Sequence, residues 1–171
     1  MLWAWLISGV HPADLEHPSG EFSARLMIIA MMLTPLRMIF PRVRWLAWLR
    51  RQRRALGVAA FGYAVLHTVF YLLDMETLRN VLAELPAVGI WTGWLALLLF
   101  VPLAITSNAA SVRALGNAWQ QLHRLTYPAA VLVLLHWITV HNNAVAAWIH
   151  FLPLLLLETW RVAITIRKKS T

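Results

Sequence analysis

Three histidines of this chain lie in or against apolar runs. His67 sits in YAVLHTVFY, and His123 and His136 stand near the two ends of QQLHRLTYPAAVLVLLHW. In such a setting an imidazole can hydrogen-bond to a neighbouring helix, pass a proton, or give a neutral nitrogen lone pair to a metal. Ionisable groups inside a bilayer are costly and usually mark function. Which chemistry applies depends on the elements that carry the three residues and on whether those elements bring them together.

The composition is that of a membrane protein. Of 171 residues, 60% are hydrophobic and 13% charged, mean hydropathy is +0.64, and there are ten tryptophans. Soluble domains carry about a quarter charged residues. A helical span needs about 20 apolar residues, and the sequence predicts five: 24–40, 55–73, 88–105, 125–140 and 144–166. The expected fold is all-α and integral to the membrane, a single domain over 1–171. Its bundle runs over 24–166, behind a short N-terminal apolar segment, 1–10 (MLWAWLISGV), too short to span. That segment reads as a truncated extra helix or an interfacial anchor. Pro35, Pro102, Pro128 and Pro153 fall inside the spans, where neighbouring groups can satisfy freed carbonyls. No 20–50-residue repeat is evident.

The net charge of +8 does not point to nucleic acid, because the basic residues fall between apolar runs. Arg37, Arg42, Arg44, Arg50, Arg51, Arg53 and Arg54 gather between spans one and two. Arg113 and Arg124 lie between spans three and four, and Arg161, Arg167, Lys168 and Lys169 close the chain. Asp14, Glu16 and Glu21 precede span one, and Asp74, Glu76 and Glu84 follow span two. The positive-inside rule then predicts the N-terminus outside and the C-terminus inside. With no cysteine in the chain, disulfides and thiolate metal sites are excluded.

In that topology spans two and four run in the same direction. His67 lies thirteen residues beyond Arg54, and His136 twelve beyond Arg124. At about 1.5 Å per residue both stand roughly 18–20 Å from the inner boundary. Two imidazoles at one depth can grip one object, and neutral imidazole is a good axial ligand for haem iron. Zinc fits less well, since it wants four ligands. Glu158, the one acid inside a span, lies toward the inner end and suits a pairing with Arg161 or another nearby base. His123 and His136 sit roughly 140° apart on an ideal helix. Either a distortion at Pro128 brings them into phase, or His123 faces another partner.

The strings RRALGVAAFGYAVLHTVFY and LAITSNAASVRALGNAWQQLHRLTYPAAVLVLLHW, with HPSGEFSARLMIIAMMLTPLR ahead of them, resemble the ferric-reductase-like transmembrane superfamily. Within it they are most similar to the MsrQ/YedZ family, haem-binding membrane subunits of periplasmic protein-methionine-sulfoxide reductase systems. The likeness runs from about Asp14 to Trp137; beyond that only hydrophobicity matches. It implies a b-type cytochrome of the bacterial inner membrane with one or two haems b. Electrons would pass from a cytosolic flavin reductase to a periplasmic molybdopterin reductase subunit. The family's ligands fall on His67, His123 and His136, which places His67 and His136 at an outer haem and His123 at an inner site. Related proteins carry four histidines on two helices. Here Arg53 or Arg54 stands where the fourth would be, so the inner group is a haem with one protein ligand or a flavin such as FMN. Arg53 and Arg54 suit a propionate or a flavin phosphate, or serve only as topology markers.

Other residues read more plainly. His17 in EHPSG is expected to shape a turn with Pro18 and Gly20. His11, His141 and His150 are expected at the surface, and Trp119, Trp137, Trp148 and Trp160 in an interfacial belt. NAWQQLHRL reads as an amphipathic inner-face segment, either a flavoprotein dock or an ordinary helix start. No GxGxxG occurs, so the chain is expected to be an electron-transfer subunit rather than a complete enzyme. The rival readings are a non-redox structural subunit that keeps the fold, and a small transporter.

Overall fold

The computed structural model describes residues 11–141 and 144–168. Among these the chain is helical, with no strand. The N-terminal apolar segment and Lys169 lie outside the described residues. In chain order the helices are α1 (Pro12–Ile39), α2 (Arg44–Arg51), α3 (Arg53–Asp74), α4 (Leu78–Glu84), α5 (Val88–Ile105), α6 (Ala109–Leu115), α7 (Asn117–Leu122), α8 (Thr126–His141) and α9 (Ala144–Arg167). A 3-10 turn, His123–Leu125, joins α7 to α8.

Four of these helices, α1, α3, α5 and α9, are long and apolar enough to cross a membrane. The chain is therefore a multi-pass membrane protein. The fourth expected span is α8, at 16 residues. That is about 24 Å of helix, short of a bilayer core of about 30 Å. The 3-10 turn and α7 continue its helical path. Pro128 stands in the first turn of α8, where a missing amide hydrogen costs no intrahelical bond.

Helix α1 begins twelve residues before the expected first span. Pro12 at its first position and Asp14 in its first turn favour a helix start. Hydropathy marks only the apolar part. EHPSG is accordingly helical rather than a turn, and His17 is exposed on it, 3.9 Å from the Glu21 carboxylate. The basic stretch after α1 also folds, as α2. There Leu46 is buried while Trp45 and Trp48 are exposed beside Arg44, Arg50 and Arg51, the pattern of a helix lying at an interface.

Packing comes in two pairs. Helix α1 lies along α3, and α5 lies along α8; α9 packs on α1 and α8. Ala24, Ala60, Ala129, Ala130 and Ala147 are buried at these contacts with Met27, Phe100, Trp137 and Phe151. Small side chains let helices approach closely where no hydrophobic drive exists in lipid. The Ser23 hydroxyl donates to the Ala60 carbonyl at 2.9 Å, a buried bond from α1 to α3. Val69, Leu98, Val131, Ile149 and Leu156 point outward, as a lipid-facing surface requires.

Candidate functional site

The two helix pairs bring His67 of α3 and His136 of α8 together, edge to face. Their ring centroids are 5.9 Å apart, with planes at 81°. Both border a cleft of about 910 Å³. Each ring is held by the partner helix of its own pair. His67 Nδ1 donates to the Glu16 carbonyl of α1 at 2.9 Å, and His136 Nδ1 donates to the Gly89 carbonyl of α5 at 2.7 Å. A carbonyl only accepts, so Nδ1 carries the proton and Nε2 carries the lone pair in both rings.

Each ring also lies on a glycine of that same helix. A β-carbon at Gly20 would stand 3.0 Å from His67 Nδ1, and one at Gly93 would stand 2.7 Å from His136 Nδ1. Any side chain at either position would push on the imidazole. The helices thus fix each ring by a bond at one edge and a flat seat beneath it.

A metal–imidazole bond of about 2.0 Å on each side of one ion puts two opposed ring centroids on the order of 6 Å apart. The observed separation fits that. Two imidazoles leave the remaining coordination positions to a group that brings its own donors. Among the described residues no cluster of three His, Cys, Asp or Glu side chains could hold a bare ion. The lining of the cleft includes Ala64, Leu97, Phe100 and Val133, side chains suited to a flat apolar ligand.

A second cavity, of about 860 Å³, lies toward the other end of the bundle, and Phe100 borders both. Its lining includes His123, Arg53, Arg54 and Arg161. His123 stacks on Trp119, centroids 3.9 Å apart at 26°. Its Nε2 lies 3.0 Å from Thr106 Oγ1, whose own proton goes to the Pro102 carbonyl at 2.6 Å. The Thr106 oxygen therefore accepts, and His123 is held as the opposite tautomer to His67 and His136. Burial, and then the nearby Arg53 charge, hold the His123 imidazole below its ordinary pKa. Arg53 donates to the Thr34 hydroxyl at 3.0 Å. Arg161 pairs with Glu158 at 2.7 Å and donates to the Tyr127 hydroxyl.

The family described as "Ferric reductase like transmembrane component" matches residues 19–135. Curated relatives that carry the name "Protein-methionine-sulfoxide reductase heme-binding subunit MsrQ" include the following three. The Rhizobium meliloti protein (strain 1021) is 39% identical over 132 residues, covering 72% of this chain and 56% of the relative. The Xanthomonas campestris pv. campestris protein (strain 8004) is 38% identical over 154 residues, covering 88% and 69%. The Azospira oryzae protein is 33% identical over 168 residues, covering 93% and 70%. This chain belongs to the MsrQ family of ferric-reductase-like transmembrane proteins. It spans little more than half the length of the Rhizobium MsrQ relative. No solved structure matches it.

Several residues of this MsrQ-family chain stand elsewhere than the sequence suggests. His150 is not a surface residue: it is half-buried, accepts from Arg25 Nε at 3.2 Å and lies 5.0 Å from the Trp137 ring. Trp137 is buried and borders the His67–His136 cleft rather than standing in a belt. Trp119 serves the second cavity, its indole N–H donating to the Thr106 carbonyl at 2.9 Å. His11 is exposed and caps α1. The side chain of His141 lies outside what is described. His123 shares no surface with the His67–His136 cleft; it faces its own partners, in a turn that ends before α8 begins. The pairing of Glu158 with Arg161 stands as the sequence suggests. Tyr127, Thr34 and Thr106 gave no signal in the sequence.

Proposed function

We propose that this chain is a b-type cytochrome of the bacterial cytoplasmic membrane, with one haem b between His67 and His136. The observation that carries the reading is the opposed pair of rings, each with Nδ1 bonded to a main-chain carbonyl. Such a bond fixes tautomer and orientation and raises ligand basicity. Haem, when bound, supplies a one-electron couple. The chain's own part is to present two Nε2 lone pairs at one separation, to keep the site apolar, and to exclude competing ligands.

The relatives' names place them in methionine-sulfoxide reductase systems. The family resemblance adds the route we propose: electrons enter from a cytosolic flavin reductase and leave to a periplasmic molybdopterin enzyme that reduces methionine sulfoxide. The chain acts as the electron-transfer subunit, with its N-terminus outside and its C-terminus inside. The inner cavity takes a second anionic group, a haem or FMN. Arg53 and Arg54 face its propionates or phosphate, and His123 contributes the imidazole. Three arginines against one carboxylate, Glu158, give that cavity the positive balance such a group needs.

A reduced-minus-oxidised spectrum of protein made under haem-replete conditions tests the reading. A b-type α band is expected. Its absence favours a structural subunit that keeps the fold without redox function. His67→Ala and His136→Ala should each abolish the outer haem, and His123→Ala should spare it. Loss of the outer haem on His123→Ala would overturn the assignment. Haem and flavin counted per polypeptide identify the inner group.

A further inference from the structure

The two ligand seats are built to one local pattern on different helices. On α1 the run is Glu16-His17-Pro18-Ser19-Gly20; on α5 it is Gly89-Ile90-Trp91-Thr92-Gly93. In each, the carbonyl of the first residue accepts Nδ1–H of a histidine from the facing helix, and the fifth residue is the glycine beneath that ring. The fourth residue carries a hydroxyl, and both hydroxyl residues are fully buried. Ser19 Oγ donates to the Glu16 carbonyl at 2.7 Å. Thr92 Oγ1 lies 2.9 Å from the Gly89 carbonyl and 2.7 Å from that of Val88. The hydroxyl and the imidazole thus share one acceptor at each seat.

We infer that Ser19 and Thr92 are positioning residues for the two axial imidazoles, acting through the shared carbonyl oxygens of Glu16 and Gly89. The inference rests on the haem reading above. A carbonyl oxygen has two lone pairs, and in a helix one already faces the amide four residues on. A hydroxyl proton on the same oxygen withdraws electron density from it, which makes it a weaker acceptor for Nδ1–H. The imidazole then keeps more of its proton and gives less density through Nε2. Outer-shell bonds of this kind tune the bound metal. Removing the hydroxyl leaves the carbonyl to the imidazole, strengthens the ligand as a donor, and favours the oxidised iron. Ser19 gives its proton to the seat carbonyl alone, whereas Thr92 divides its proton between two oxygens. Ser19 should therefore have the larger effect.

The test is redox titration of the purified, haem-loaded full chain, with the ligation state followed by absorbance. In Ser19→Ala the oxidised-to-reduced ratio at a fixed poise should rise about threefold, a fall of about 30 mV at 59 mV per tenfold for one electron. Thr92→Val should move the same way by less, and Thr92→Ser, which keeps the hydroxyl, should stay at the parent value. Parent potentials in both Ser19→Ala and Thr92→Val, with haem bound, would overturn the inference, as would equal shifts in Thr92→Val and Thr92→Ser. If Ser19→Ala does not retain haem, the two Thr92 variants decide alone. Parent protein without a two-imidazole low-spin haem would sink the functional reading itself, and this inference with it.

Discussion

At the scale of single residues, the glycines beneath the rings decide more than their size suggests. The β-carbon of Gly93→Ala would meet His136 at 2.7 Å. That is too close for a real contact, and His136 cannot yield without losing its bond to Gly89. The expected cost is about 1–3 kcal/mol from overpacking, with loss or weakening of haem binding. Gly62→Ala has nothing within 4 Å of the new carbon and should be neutral or stabilising by up to about 1 kcal/mol. Thermal unfolding in detergent and haem retention of the two variants measure both effects; equal behaviour would refute the seat. The histidines themselves were legible, because their type and depth could be counted from Arg54 and Arg124. Their holders were not. A main-chain carbonyl has no letter in the sequence, so Glu16 and Gly89 could not be read as the groups that hold the two rings. Gly20 and Gly93 carry meaning only once the facing helix is known. His150 was misjudged because its distance from the apolar core depends on how α9 packs, which hydropathy does not encode.

At the scale of elements, apolar runs located α3, α5, α8 and α9 to within a few residues. They missed the first twelve residues of α1, where polar side chains on a helix lie beyond the apolar part. That extension matters, because it carries both Glu16 and Gly20 to His67. The register of α1 on α3 is pinned in part by Ser23, whose hydroxyl reaches the Ala60 carbonyl. Ser23→Ala should cost about 0.6–1 kcal/mol. It should also loosen the His67 seat more than the His136 seat, read as a change in haem off-rate without a change in the His136-side contacts. An unaltered unfolding midpoint and off-rate would show that packing alone holds the register. Of the two alternatives for His123, the second holds: it faces its own partners, Thr106 and Trp119, from a 3-10 turn that precedes α8.

At the scale of the whole molecule, the charge asymmetry predicts the orientation. The chain has no cysteine, so single cysteines report topology without background. Leu78→Cys, at an exposed position of α4, should react with an impermeant maleimide added to intact spheroplasts. Ala110→Cys, exposed on α6, should react only after the membrane is opened. The reverse pattern would invert the direction of electron flow proposed above. The two pairs, α1 with α3 and α5 with α8, each own one imidazole together with everything that aims it. Neither pair alone can complete the grip. On the proposed reading the prosthetic group is the rivet between two half-clamps. A chain that never meets its pigment should keep its helices, joined through α9, and be loosest where the two imidazoles meet.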